Sequence, residues 1–141
     1  MEITLAAYDD VAGILPLLPQ IYRVSELPPE AKQTLEQQID SDNCDVVVAK
    51  ENGKVLGAGT IFYLKNAGHT SPFAFLEGIV VDDAARGKGI GTALSKKAIE
   101  LAKAKGCYKM IFTSGMDREK IHKFYEELGF KKWGFEFRMD L

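Results

Sequence analysis

Phe75-Leu76-Glu77-Gly78-Ile79-Val80-Val81-Asp82-Asp83-Ala84-Ala85-Arg86-Gly87-Lys88-Gly89-Ile90-Gly91-Thr92-Ala93-Leu94 decides the fold. It reads as an apolar strand, a turn at Asp82-Asp83, a glycine-rich loop and the start of a helix. The first amides of a helix have no intrahelical partner and carry about half a positive charge, so an anion can settle there if the backbone is accessible. Gly87, Gly89 and Gly91 permit that approach, and Arg86 and Lys88 add side-chain charge. Two familiar phosphate loops fail on spacing. G-x-G-x-x-G would need glycine at Thr92 or Leu94, and G-x-x-x-x-G-K-[ST] lacks both its first glycine, at Asp82, and its hydroxyl after Lys88.

Outward from this segment the chain alternates strand and helix signals. Ile3 to Ala7 reads as a strand, then Asp9 or Asp10 as the N-cap of a helix carrying Val11, Ile14, Leu15 and Leu18, which Pro16 and Pro19 should distort or end. A second helix is expected from near Pro29 to about Ile39. Asp45 to Lys50 and Val55 to Leu64 are strands joined at Asn52-Gly53, a strong hairpin signal. Phe73 to Val81 is nearly continuous in apolar residues, as in a sheet covered on both faces. Gly89 to Lys105 places Ile90, Ala93, Leu94, Ala98, Leu101 and Ala102 on one helical stripe, stopped by Gly106. Tyr108 to Thr113 is a strand, Asp117 to Leu128 an amphipathic helix with Ile121, Phe124, Tyr125 and Leu128 inward, and Gly134 to Leu141 a closing strand. The expected order is β-α-α-β-β-β-α-β-α-β: a single α/β domain over residues 1–141, with one central mixed sheet and about four helices.

Composition narrows the function. The 141 residues hold 46% hydrophobic and 27% charged side chains, a balance suited to one domain in water. No apolar run approaches the roughly 20 residues that span a bilayer. Met1-Glu2-Ile3-Thr4 has neither a basic nor an apolar leader segment, so the expected location is the cytoplasm, with no membrane partner. Cys44 and Cys107 are read as two free thiols, and with His69 and His122 they form no metal-ligand spacing. No metal is expected. Residues 1–81 carry five basic and eleven acidic side chains, whereas residues 82–141 carry thirteen and nine. The second part therefore suits a polyanion, but its lysines alternate with glutamates on helix faces, which argues against nucleic acid.

The pattern Arg86-x-x-Gly89-x-Gly91 resembles the [R/Q]-x-x-G-x-[G/A] pyrophosphate loop of the GNAT superfamily of acyl-CoA N-acyltransferases. Lys123-Phe124-Tyr125-Glu126-Glu127-Leu128-Gly129-Phe130 is similar to that family's F-Y-E-x-x-G-F segment. The element order agrees along nearly the whole chain. From Glu77 to Phe130, including Gly106-Cys107-Tyr108-Lys109, the likeness is greatest to small glucosamine-6-phosphate N-acetyltransferases and some bacterial relatives. The resemblance implies acetyl-CoA as cosubstrate, with the backbone of Ile79, Val80 and Val81 pairing with the pantetheine arm. It implies that Arg86, Gly87, Lys88, Gly89, Ile90, Gly91 and Thr92 hold the pyrophosphate. Arg118, where many relatives have Asn, would reach a CoA phosphate. It implies Glu77 as the base for the amine, directly or through water, and Tyr125 as the acid that protonates the departing thiolate.

Residue chemistry agrees with those two roles without requiring them. A carboxylate in apolar surroundings has its pKa raised and becomes a better proton acceptor, although Glu77 could equally lie at a sheet end or pair with a lysine. Tyr125 could be a core tyrosine with its hydroxyl at the edge. Gly78, inside the apolar strand, marks either a splayed strand or a bulky neighbour; the glucosamine-6-phosphate enzymes would carry an acidic residue there. His122 reads as a surface or hydrogen-bonding residue, and Ser114 and Thr113 could line a cleft. The expected function is direct transfer of an acetyl group to a primary amine of a small molecule; an amino sugar phosphate, a polyamine, an aminoglycoside and a protein N-terminus stay open as acceptors, and the acceptor is expected in the cleft made by the two early helices and the loop from Lys65 to Pro72. Dimerisation is common among the proteins it resembles. The alternative is a non-catalytic acyl-CoA sensor or interaction module.

Overall fold

The computed structural model describes residues 1–141, which divide into two compact units, Met1–Ile111 and Phe112–Leu141. The first unit is built on a five-stranded sheet in the order β1 (Glu2–Leu5), β2 (Cys44–Glu51), β3 (Lys54–Leu64), β4 (Phe73–Val81), β5 (Met110–Ile111). The first four strands are antiparallel neighbours and β5 runs parallel to β4, so the sheet is mixed as expected. The β2–β3 hairpin turns where the sequence signals it. Asn52 and Gly53 have φ of 50° and 76°, the left-handed pair that a two-residue turn demands, and Glu51 faces Lys54.

Successive strand residues point to opposite faces, and the helices divide accordingly. Cys44, Val46 and Val48 join a core with Val11, Ile14, Leu17, Leu18 and Leu35 from the N-terminal helices. The other face is covered by α4 (Ile90–Ala104), whose Leu94 and Ala98 are fully buried, as are Val47 and Ala49 of β2. The two prolines break the first helix as predicted. It becomes a 3-10 turn at Tyr8–Asp10, α1 (Val11–Ile14), a second 3-10 turn at Leu15–Leu17, and α2 (Leu18–Tyr22). Asp10 does not act as a simple N-cap. It accepts the Ala7 N–H at 2.9 Å and the Lys50 ammonium at 3.0 Å, a charge pair that the burial of Asp10 makes necessary. α3 spans Ala31–Asp40.

Two sequence expectations need correction. The strand expected over Tyr108 to Thr113 contracts to Met110–Ile111, paired only with Ala74 and Phe75. Its partner explains this: the β3–β4 register shifts between Thr60 and Ile61, where Thr60 faces Gly78 but Ile61 faces Leu76, leaving Glu77 as an extra residue. Such a bulge reverses which backbone groups point to each side, so a parallel ladder cannot continue in step past it. The closing strand expected over Gly134 to Leu141 does not form. Its alternation is real, but a strand is a pairing as well as a pattern, and no ladder includes these residues. In the second unit the last helix, α5, spans Glu119–Glu127.

Gly78 follows the bulge and lies under α2. A Cβ added there would stand 2.8 Å from Ile21 Cγ2, an atom on a β-branched side chain that is stiff about χ1. Gly78→Ala should therefore cost about 1–3 kcal/mol in urea unfolding, as overpacking does, and Ile21→Ala should relieve most of that penalty in the double variant. Strictly additive losses would show that the two positions do not press on each other.

Candidate functional site

The bulge makes β4 change sides. Ala74 N–H donates to Lys109 O beside β5, whereas Asp82 N–H donates to Leu56 O beside β3. Both residue numbers are even, so without the extra residue at Glu77 they would face the same way. After the bulge Gly78 and Val80 share the β3-facing orientation of Asp82, and Ile79 and Val81 direct their backbone groups to the opposite edge. That edge has no strand partner, because β5 pairs no further than Phe75. Open backbone groups on an otherwise covered strand require an acceptor and a donor from elsewhere. An extended amide-bearing chain laid along Ile79, Val80 and Val81 would supply both.

Glu77 stands at the bulge, exposed in an otherwise apolar strand. Partial desolvation raises its carboxyl above the ordinary glutamate range, with no cation compensating. Its charge is felt by Tyr22, whose phenol is raised first by burial and then by Glu77. The early helices were expected beside the site, and α2 supplies three residues that the sequence did not single out. Its Gln20, Ile21 and Tyr22 respectively bond Arg86, cover Gly78 and lie in the field of Glu77.

Below Val81 the chain makes a 3-10 turn at Asp83–Ala85, capped by Asp82 Oδ1 accepting from Ala84 N–H at 2.9 Å. Gly87 and Gly89 then adopt φ of 78° and 77°, left-handed values that L side chains resist, and Gly89 becomes the N-cap of α4. The first bond of that helix runs from Ala93 N–H to Gly89 O, so the amides of Ile90, Gly91 and Thr92 lie ahead of it without intrahelical partners. Arg86 is held beside them by Asp83 at 2.6 Å and by the Gln20 carbonyl oxygen at 3.1 Å. Lys88 is exposed and forms no ion pair. The residues present fit a diphosphate: a run of small, left-handed backbone with free amides, one tethered guanidinium and one free ammonium.

A hollow of about 310 Å³ lies elsewhere in this unit, lined by Asp9, Asp10, Gly13, Lys54 and Asp82 among others. Two of its carboxylates are already taken. Asp10 is bound by Lys50, and Asp82 by Lys54 and Ala84.

The second unit explains the Phe124-Tyr125-Glu126-x-x-Gly129-Phe130 pattern in physical terms. α5 ends as Gly129, φ 95°, donates to Glu126 O and Phe130 N–H reaches back to Tyr125 O. This double closure is the left-handed helix stop that glycine favours. It folds Phe130 back so that its ring lies 5.8 Å from Tyr125 and 5.0 Å from Phe112, while Phe112 lies 4.1 Å from Tyr125. Burial in this aromatic cluster raises the Tyr125 phenol and Arg118 opposes the rise, so the hydroxyl stays protonated at neutral pH. His122 is engaged with Gly115 O at 2.9 Å, the hydrogen-bonding role expected of it. Ser114 Oγ is buried without a partner.

Residues 12–130 match the acetyltransferase (GNAT) family. A glucosamine 6-phosphate N-acetyltransferase of Trypanosoma brucei brucei is 30% identical over 100% of this chain and 96% of its own. An aminoglycoside N(6')-acetyltransferase type 1 of Acinetobacter haemolyticus is 35% identical over 55% of this chain and 54% of its own. Among solved structures, a putative acetyltransferase from Agrobacterium tumefaciens superposes with a TM-score of 0.86 at 30% identity, covering 99% of this chain and 100% of that one.

The raised carboxyl has a consequence that needs no substrate. A folded-state pKa above the unfolded value means that the native protein binds the proton more tightly, so stability falls as pH rises through the Glu77 transition. Glu77→Gln removes a desolvated charge. Its melting temperature should modestly exceed that of the parent at pH 7, and the gap should close below the ordinary carboxylate range, about pH 4. A variant less stable than the parent at pH 7 would show that the carboxylate is a structural partner.

Proposed function

The chain belongs to the acetyltransferase (GNAT) family, whose members use acetyl-CoA as cosubstrate, and on that premise we propose how its own residues serve the transfer. The observation that carries the reading is the bulge at Glu77, which opens the Ile79–Val81 edge and places a carboxylate at its upper end. In this reading the backbone of Ile79, Val80 and Val81 orients the pantetheine arm and thioester. The amides from Gly87 through Thr92, with Arg86 and Lys88, hold the diphosphate, and Arg118 engages a further CoA phosphate. The cosubstrate supplies an activated acetyl group, and no covalent attachment to the protein is needed.

An alkylammonium of pKa about 10.4 is overwhelmingly protonated at neutral pH, so the acceptor must first lose a proton. Glu77, with its raised carboxyl, accepts it directly or through water. As the nitrogen forms its bond to the acetyl carbon, the carbon–sulfur bond breaks, and Tyr125 gives its hydroxyl proton to the sulfur. The second proton shed by the nitrogen restores the phenol. Backbone donors along β4 polarise the carbonyl while this occurs, a contribution of positioning and electrostatics.

The proposed acceptor is the primary amine of an amino sugar phosphate. The support is the likeness to a glucosamine 6-phosphate N-acetyltransferase over the whole chain, together with the acidic balance of residues 1–81, which suits a cationic amine. Arg23 and Lys65 are the candidates for its phosphate. Gly78 bears on this choice, because it leaves Glu77 without an acidic neighbour, and a side chain there would press on Ile21 Cγ2 at 2.8 Å. Acceptor contacts here are therefore made by other residues than an acidic pair. The proposal includes a single functional domain, a cytoplasmic homodimer, and neither a nucleic-acid nor a membrane partner.

Release of free CoA thiol from acetyl-CoA should depend on added amine, with glucosamine 6-phosphate ahead of polyamines, amino acids, aminoglycosides and short peptides. Glu77→Gln and Tyr125→Phe should each lower kcat by about 100-fold, the scale of a lost acid or base. The parent's kcat/KM should fall as pH drops through a carboxyl transition set above the ordinary range. Gly89→Ala should mainly raise the KM for acetyl-CoA. Unchanged turnover in both Glu77→Gln and Tyr125→Phe would refute their roles, and tight acetyl-CoA binding without transfer to any amine would favour a sensor.

A further inference from the structure

Lys65 to Pro72 joins β3 to β4, and Leu64 facing Phe73 closes the ladder beneath this loop. Lys65 to Thr70 are all exposed. The bonds inside the loop are local. Asn66 accepts the Gly68 N–H on Oδ1 at 2.9 Å and the His69 N–H on its carbonyl oxygen at 3.4 Å, a side-chain turn that shapes the tip without fixing where the tip lies. Beyond the loop, root and tip both meet Tyr108. Its N–H donates to Pro72 O at 3.0 Å, and its ring stacks on that of His69 with centroids 4.0 Å apart and planes 19° from parallel.

Tyr108 is itself well anchored. It stands between the stop of α4, where Cys107 N–H donates to Ala102 O, and the approach to β5, where Lys109 O accepts from Ala74 N–H. Its ring and that of Phe73 meet edge to face at 6.4 Å, and the Lys109 ammonium lies 5.4 Å from the Tyr108 centroid and 5.2 Å from that of Phe73. Yet Tyr108 is 39% exposed and His69 is exposed too, so the pair adds little to the core. What the stack fixes is the loop.

β4 runs from this loop to the anion loop, with Glu77 between them. From Phe73 to Glu77 is about 13 Å of strand. With the pantetheine arm along Ile79 to Val81, the acceptor amine reaches Glu77 from the Phe73 side, and the rest of the acceptor lies toward Lys65 to Pro72. We propose that His69 stacked on Tyr108 is a positioning pair for the acceptor. It holds the loop at the start of β4 and so sets the affinity for the amine without touching the reacting atoms. This rests on the acetyl-transfer reading above and adds two residues to it. A loop pinned beforehand loses less freedom when the acceptor arrives, an effect felt in binding and not in the chemical step.

Proton NMR and steady-state kinetics test the pair together. The chain has only two histidines, His69 and His122, so His69→Phe assigns the His69 ring signals. In the ligand-free parent the Tyr108 ring should shift those signals upfield, and Tyr108→Leu should return them to the ordinary range. His69→Ala should raise the KM for glucosamine 6-phosphate about fivefold, with kcat, the KM for acetyl-CoA and the melting temperature unchanged. His69→Phe keeps a flat ring over Tyr108 and should keep the parent KM. Unshifted His69 signals would overturn the stack, and a His69→Phe variant as impaired as His69→Ala would overturn stacking as the cause. An unchanged KM in His69→Ala would overturn the positioning role. So would a lower melting temperature or an equal rise in the KM for acetyl-CoA, either of which marks a merely structural contact. A parent that acetylates no glucosamine 6-phosphate would overturn the proposed acceptor and the pair's role in binding it. The spectrum needs no substrate, so it reads the stack separately from that failure.

Discussion

One extra residue in β4 governs the functional part of this molecule. Because Thr60 faces Gly78 while Ile61 faces Leu76, Glu77 has no counterpart on β3, and the strand's hydrogen-bonding groups exchange sides there. Before the bulge β4 bonds to β5; after it, Ile79 and Val81 face an edge that β5 does not reach. The same step produces the open edge and puts a carboxylate at its head. Gly78 belongs to this arrangement as well, since Ile21 packs where its side chain would be and thereby ties α2 to the distorted strand.

Electrostatics complete what the backbone begins. β4 leads through a capped 3-10 turn into two left-handed glycines and the N-terminus of α4, so the open edge is followed at once by unpartnered amides. Arg86 contacts Asp83 and the side-chain oxygen of Gln20 there, exposed contacts that hold it weakly and that an anion can replace. Gln20, Ile21 and Tyr22 touch or influence Arg86, Gly78 and Glu77 in turn. A short helix interrupted by prolines is thus joined to both the anion loop and the carboxylate.

Local rules made much of this legible in the sequence. Asn52-Gly53 specified its hairpin, Gly106 its helix stop, and Gly89 the beginning of α4, because each needs a backbone conformation that few residues adopt. Phe73 to Val81 was delimited to the residue by the turn formers on either side, but the expected cover on both faces is not found: Ala74, Leu76 and Val80 are buried, whereas the other face is half-buried and Glu77 exposed. The bulge left only an indirect trace, the glycine after Glu77, because register depends on the partner strand. The short β5 followed from that register, and the unformed closing strand shows that alternation predicts a face but not a partner. The early helices were expected around the acceptor, but the contact of Ile21 with Gly78 left no local trace, for it arises only through the tertiary fold.

The central claim is that the backbone of Ile79 and Val81 is the open side of β4, made so by the bulge, and that the cosubstrate occupies it. Residue-resolved amide hydrogen exchange with and without acetyl-CoA addresses this directly. The account predicts strong added protection at Ile79 and Val81, with little change at Gly78 and Val80, whose amides already face β3. Equal protection along β4, or protection at Gly78 and Val80 alone, would contradict it.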